Sequence, residues 1–195
     1  MTKRIFDFTA SLVGLLLLAP MFLLIGVWIK LDSRGPVFFR QPRVGKDGVM
    51  FNIVKFRTIV DDAQGSLLTV GHDLRITPVG RFLRRHKLDE FPQLFNVVAG
   101  TMSLVGPRPE VARYVDCYPP DVRSVVLSVA PGITDWASIY YKEENSLLSR
   151  SSNPEAAYLE NILPTKLKYN MRYVQERSFW NDVRIIFTTL ATLVR

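Results

Sequence analysis

The chain has 195 residues, with 25 Lys plus Arg against 18 Asp plus Glu and a net charge of +7. This length suits one domain with an appendage. Its 48% hydrophobic and 22% charged residues exclude a disordered tail or a collagen-like chain. The single cysteine, Cys117, excludes a disulfide framework and a cysteine-built zinc site, and reads as a small buried apolar residue in a reducing compartment.

From Phe8 to Ile29 the chain carries no charge. A membrane-spanning helix needs about 20 such residues. A cleaved signal peptide, a plain span with a kink and a re-entrant hairpin compete, the run being longer than usual for the first. The signal peptide lacks a small-x-small cleavage site. Pro20 sits mid-run without an N–H to donate, which predicts a break or kink there. Positive charge flanks both ends, with Lys3 and Arg4 before and Lys30, Arg34, Arg40, Arg43 and Lys46 after. A span satisfies the positive-inside rule on one flank only, whereas a hairpin keeps both flanks in the cytoplasm.

Residues 30–60 predict a β-hairpin turning at Gly45-Lys-Asp-Gly48. Strand alternation puts Lys55 and Arg57 on one face, a pair suited to gripping phosphate or simply to a solvated surface. Asp61 to Thr77 reads as a short helix and a loop. Asp89 and Glu90 are expected at the start of a helix, with Pro92 in its first turn and Gly100 at its end. Met102 to Glu110 reads as a loop stiffened by Pro107 and Pro109. Short helices follow over Val111 to Tyr118 and Val122 to Val129. Ile133 to Tyr141 reads as extended or irregular. A helix capped by Ser152 or Asn153 begins at Pro154, another reaches about Arg177, and a last amphipathic helix covers Phe179 to Val194. Trp180, Arg184 and Arg195 suit an interfacial helix, though core packing explains the same stripe. The expected fold is α+β and helix-rich.

Few groups carry chemistry. His72 and His86 are too far apart for a zinc motif, and no nucleotide-binding glycine loop is present. Asp89 and Glu90 stand out because four cations, Arg81, Arg84, Arg85 and Lys87, precede them. Adjacent helical residues point about 100° apart, so the two carboxylates suit different tasks. One can act as nucleophile and the other can hold a hard ion such as Mg²⁺ beside substrate phosphates. A helix start stabilised by acidic residues gives the same sequence. Arg108, between Pro107 and Pro109, is presented with little freedom to lose, as a phosphate or carboxylate clamp requires.

These motifs together resemble the bacterial sugar transferase family, the monotopic phosphoglycosyl transferases, and its small members in particular. The resemblance rests on Lys3-Arg-Ile-Phe-Asp7, the Gly35 to Gly45 run, Lys55-Phe-Arg-Thr58, the Lys87 to Val97 run, Met102-Ser-Leu-Val-Gly-Pro-Arg-Pro-Glu110 and Pro131-Gly-Ile-Thr134. It implies transfer of a sugar-1-phosphate from a UDP-sugar to a polyprenol phosphate such as undecaprenyl phosphate. By the same resemblance the product would begin a surface glycan or glycoprotein, with downstream glycosyltransferases as possible partners. Asp89 would be the nucleophile, forming a covalent phosphosugar and releasing UMP, with Glu90 on Mg²⁺. Arg108, with Pro107 and Pro109, would position the donor phosphates, and Lys55 and Arg57 would assist.

Residues 1–30 would form a re-entrant helix-break-helix anchor bent at Pro20. Residues 31–195 would form a cytosolic catalytic domain with interfacial helices, monotopic on the cytoplasmic face of the inner membrane among membrane lipids. Two departures stand out. Ala19 precedes Pro20 where many members have Ser, and Asp135 precedes Trp136 where many have Gly. The second falls in a region that bears on sugar choice. A non-catalytic glycan-assembly scaffold and a glycosyl transferase releasing UDP are the competing readings. Nucleic-acid binding, prompted by the Arg81 to Lys87 run, lacks any reading module.

Overall fold

The computed structural model describes residues 2–60 and 73–194. Most of the expected Asp61–Thr77 helix and loop, including His72, lies outside the described residues. The architecture is α+β and helix-rich, with two small sheets.

Helix α1 (Thr2–Asp32) is long and apolar enough to cross a membrane, with a mean hydropathy of 2.6 over its most apolar window. Its inward positions recur every three or four residues: Asp7, Ser11, Gly14, Leu18, Phe22, Ile25 and Ile29 are buried or half-buried. That is the period of a helix lying along a surface. The stripe continues on both sides of Pro20, and the expected break there is absent: α1 runs through as one helix. Pro20 itself is exposed. Proline removes one helical hydrogen bond, but packing holds both halves of α1 to the same domain.

The anchoring contacts change along α1. Near its start, Lys3 Nζ lies 2.5 Å from Asp182 Oδ2, and Arg4 donates to the carbonyls of Val97 (2.5 Å) and Val98 (2.9 Å). Ser103 Oγ donates to Asp7 (2.8 Å). Beyond Pro20 the contacts are mostly apolar, with Asp32 accepting from Val79 N (3.3 Å) at the end. Ile25 and Ile29 join Phe56, Val79 and Leu83 in one core cluster, and Phe22 meets the Phe56 ring edge-on at 5.1 Å. Leu16, Leu17, Leu23, Leu24 and Leu31, on the outward face, are 69–81% exposed.

Strands β1 (Phe38–Val44) and β2 (Met50–Phe56) form the expected antiparallel hairpin, with Phe38 opposite Phe56 and Val44 opposite Met50. Its turn holds Asp47 and Gly48 at positive φ (56° and 78°), the backbone state for which Asp-Gly is suited. Helix α2 (Pro78–Arg85) follows, with Thr77 accepting from Gly80 N as its cap. A 3₁₀ turn over Leu88–Glu90 then leads into α3 (Gln93–Ala99), which Gly100 closes at φ 88°. The acidic pair therefore precedes α3 rather than opening it, because Pro92 takes the N-cap position.

The stretch read as a loop contains a strand, β3 (Ser103–Val105), paired in parallel with β4 (Gly132–Thr134). A three-residue strand with a distant partner leaves no local pattern to read. At the pairing the backbones nearly touch. A Cβ on Gly106 would stand 2.5 Å from the Ala130 carbonyl oxygen, and one on Gly132 would stand 2.1 Å from Gly106 N.

The other helices are α4 (Ala112–Val115), α5 (Pro120–Val126), α6 (Trp136–Tyr140), α7 (Glu144–Leu148), α8 (Pro154–Ala157), α9 (Leu163–Glu176) and α10 (Phe179–Val194). Asn153, one of the two expected caps, accepts from Ala156 N, and a π-helical turn over Tyr158–Ile162 joins α8 to α9. Tyr114, Val115, Tyr118, Val126, Tyr158 and Leu167 share the largest core cluster. Cys117 is exposed, contrary to the burial expected of it, because Tyr114, Val115 and Tyr118 fill the inner face of its segment. In α10 Ile185 is buried while Trp180 and Phe187 are 77% and 68% exposed, so this helix has both a core stripe and an apolar outer edge.

Candidate active site

Three short segments bring the chemistry together. Lys55 comes from β2, Glu90 from the 3₁₀ turn and Arg108 from the loop after β3. Lys55 Nζ donates to Glu90 Oε1 at 2.7 Å. Arg108 grips the same carboxylate with both terminal nitrogens, Nη1 to Oε2 at 3.0 Å and Nη2 to Oε1. A bidentate guanidinium–carboxylate contact is strong and directional.

The two adjacent carboxylates differ sharply. Burial alone pushes the Glu90 carboxyl up, but the charges and hydrogen bonds of Arg108 and Lys55 overcome it and hold the group well below the usual range. Asp89 is 8% exposed, and among the described residues its carboxylate has no hydrogen-bond or ion-pair partner. Burial and the neighbouring Glu90 push it up, against the more distant charges of Lys55, Arg84 and Lys87. Neighbouring acids with opposite shifts are a mark of chemical sites. Burial and the Arg108 charge also depress Lys55, while Glu90 raises Arg108.

Local backbone features aim these groups. Lys87 sits at φ 55° and turns the chain from α2 into the acidic pair. A left-handed lysine costs about 1 kcal/mol, which the flanking structure must offset. The loop bearing Arg108 is pinned at every residue from Gly106 to Pro109. Gly106 N donates to the Thr134 carbonyl (3.1 Å), and Gly132 N donates to that of Pro107 (3.0 Å). Arg108 N donates to Asp135 Oδ2 (3.3 Å), and Arg43 Nη1 to the Pro109 carbonyl (3.2 Å). Asp135 is fully buried and also accepts from Ser138 N at 2.6 Å, capping α6. Asp135 thus ties the arginine loop to the start of α6.

Arg57 is not brought to the cluster. It lies one residue past β2, and its three guanidinium nitrogens donate to the carbonyls of Pro36, Arg34 and Ser33. Strand alternation pointed it towards Lys55, but the pleat ends at Phe56.

A cleft of about 1000 Å³ opens over the site. Its wall includes Glu90 and Arg108, the cations Arg81, Arg84 and Lys87, and farther along Glu110, Tyr158 and Lys166. Asp89 is set back from this wall, between Lys87 and Glu90 in sequence. Its carboxylate can rotate without breaking a hydrogen bond. Sequence reasoning missed the Glu110 cluster, in which Tyr158 donates to Glu110 at 2.5 Å and Lys166 pairs with Glu144 at 2.6 Å. Three separate segments meet there, and no spacing signals it. Among the described residues no three His, Cys, Asp or Glu side chains gather as a metal cluster. The donor set still suits a hard ion: Glu90 Oε2 accepts one hydrogen bond and keeps a lone pair, and both nearby acids offer oxygen only.

The site thus sets a buried acid without a partner beside an acid held by two cations in an open cleft. The chain belongs to the bacterial sugar transferase family, whose pattern matches residues 1–195. It is 39% identical over 96% of its length to an undecaprenyl-phosphate glucose phosphotransferase of Komagataeibacter xylinus, of which it covers 35%. It is 36% identical over 96% of its length to the UDP-glucose:undecaprenyl-phosphate glucose-1-phosphate transferase of Escherichia coli K12, of which it covers 39%. The chain thus spans under half the length of these relatives. An uncharacterized sugar transferase of Bacillus subtilis, EpsL, is 35% identical, with 96% of this chain and 85% of that protein aligned.

Proposed function

We propose that this protein transfers a sugar-1-phosphate from a UDP-sugar to a polyprenol phosphate, with undecaprenyl phosphate the acceptor suggested by the names of its relatives. One observation carries the mechanism: Asp89 is buried and unpartnered beside a carboxylate that two cations already neutralise. A carboxylate held above its usual range is more basic, and so a better nucleophile once ionised. Asp89 attacks the phosphorus that bears the sugar. The bond to the bridging oxygen breaks, and UMP leaves with that oxygen. The phosphosugar stays on Asp89 as an acyl phosphate. An oxygen of the lipid phosphate then attacks the same phosphorus and frees the aspartate.

Arg108, on a loop held by four hydrogen bonds, and Lys55 would meet the charge that gathers on the diphosphate. Glu90 would hold Mg²⁺ through its remaining lone pair, and the ion would neutralise diphosphate charge when bound. Burial of the site in a cleft strengthens each of these interactions relative to water.

We further propose that α1 lies in one leaflet on the cytoplasmic side. Both of its ends dock on one domain, both flanks are cationic, and its outward leucines face away from the protein. The 31–195 segment then works at the height of lipid headgroups.

The test is turnover in detergent with undecaprenyl phosphate and a panel of UDP-sugars, scored for UMP against UDP. UMP is expected as the nucleotide product, and excess EDTA is expected to stop turnover. Release of UDP would point instead to a glycosyl transferase, and no turnover with any donor to a scaffold. For topology, cysteine labels at Thr2 and Ser33 should report the same membrane side.

A further inference from the structure

The cationic side of the cleft adjoins the anchor through aromatic rings. Trp28, on the outward side of α1 and 44% exposed, lies 5.2 Å from the Phe82 ring of α2. Phe82 is 43% exposed, and its ring centre lies 4.3 Å from that of His86 one helical turn on. His86 belongs to the cleft wall, and so do Arg81, Arg85 and Lys87. Among the described residues none of these three cations forms a salt bridge with a carboxylate. The rings therefore form a path from the apolar outer face of α1 to a group of unneutralised cations. Asp89 follows two residues after the last of them.

Such a path has two chemistries in one order, apolar at the anchor and cationic at the cleft. A sugar nucleotide has no long apolar part, and a phospholipid has two acyl chains where the ridge is a single row of rings. A single-chain isoprenoid phosphate matches both ends. We propose that Trp28, Phe82 and His86 carry the first isoprene units of the acceptor into the cleft, where Arg81, Arg85 and Lys87 receive its phosphate. This rests on the transferase reading above and adds the place where the acceptor enters.

The test is photo-labelling of the full chain in detergent with a diazirine-bearing polyprenyl phosphate, which needs no turnover. Labelling is expected at Trp28 and within residues 82–86. Undecaprenyl phosphate should compete it away, while inorganic phosphate or the unphosphorylated prenol should not. Arg85→Ala should weaken labelling about tenfold, as expected for loss of one charge-assisted contact. Phe82→Leu, which keeps an apolar side chain, and Trp28→Ala should raise the acceptor KM several-fold. The burst of UMP released without acceptor should keep its amplitude. Label spread evenly over the outward leucines of α1, or labelling unaffected by Arg85→Ala, would overturn the proposal. An acceptor KM unchanged in both aromatic variants would do the same. A wild-type protein that takes the label but releases no UMP from any donor would instead defeat the transferase reading.

Discussion

The seat of the anchor and the cleft both contain buried charge, but they use it differently. In the seat the buried cations are matched. Arg57 satisfies three carbonyls, Arg4 two, and Lys3 pairs with Asp182. In the cleft one carboxylate holds two cations while its neighbour holds none. Matched groups stabilise a geometry, and mismatched ones are available to a substrate. Substitutions in the seat should therefore change stability, and substitutions in the cleft should change turnover.

The strongest test of that division is Asp89→Asn. It removes the proposed nucleophile without changing its volume, so turnover should fall by at least about a thousandfold. The same change relieves a buried acid, and the melting temperature should rise by about 2–4 °C. A variant that lost stability along with turnover would place Asp89 with the seat. Next in size is Arg108→Lys. It keeps the charge but loses the two-pronged grip, and kcat/KM should drop about a hundredfold.

Arg57→Ala works on the other region. Three carbonyls lose charge-assisted donors, and denaturant unfolding should show a loss of about 3 kcal/mol. Activity per folded molecule should change little; a large loss of kcat at unchanged stability would return Arg57 to the catalytic group. Smaller still is the pH response. The Asp89 pKa is raised by burial, so activity should be lost as pH falls through a value above the usual aspartate range, near 3.9. Below that value the group is protonated and cannot attack. Lys3→Met should cost the least, about 1 kcal/mol, because that ion pair is part exposed.

The hairpin, the last helix and the grouping of acids after a cationic run were legible because each is written in neighbouring residues. Lys55 and Arg108 as partners of one carboxylate were partly legible, since each stood out alone but nothing in the spacing joined them. The parallel pairing of β3 with β4 was not legible. Three residues beside a segment almost thirty positions away carry no periodicity of their own. The break expected at Pro20 does not occur, for another reason. The cost of one hydrogen bond is local, whereas the stripe that keeps α1 whole is set by contacts along its entire length. Arg57 misled because alternation holds only as far as the strand does.

Gly106 and Gly132 meet where a single methyl group would force the backbones apart. The arginine loop is carried on that contact, so its height above Glu90 depends on two side chains that are missing. Positions of this kind leave evolution almost no room: Ala, the smallest possible step, should already displace the loop that bears Arg108. The cleft walls, where side chains differ in size and charge, leave more room for change. Here the permissible alphabet shrinks to one letter, and a survey of viable substitutions should find these two glycines as intolerant as the acids they help to serve.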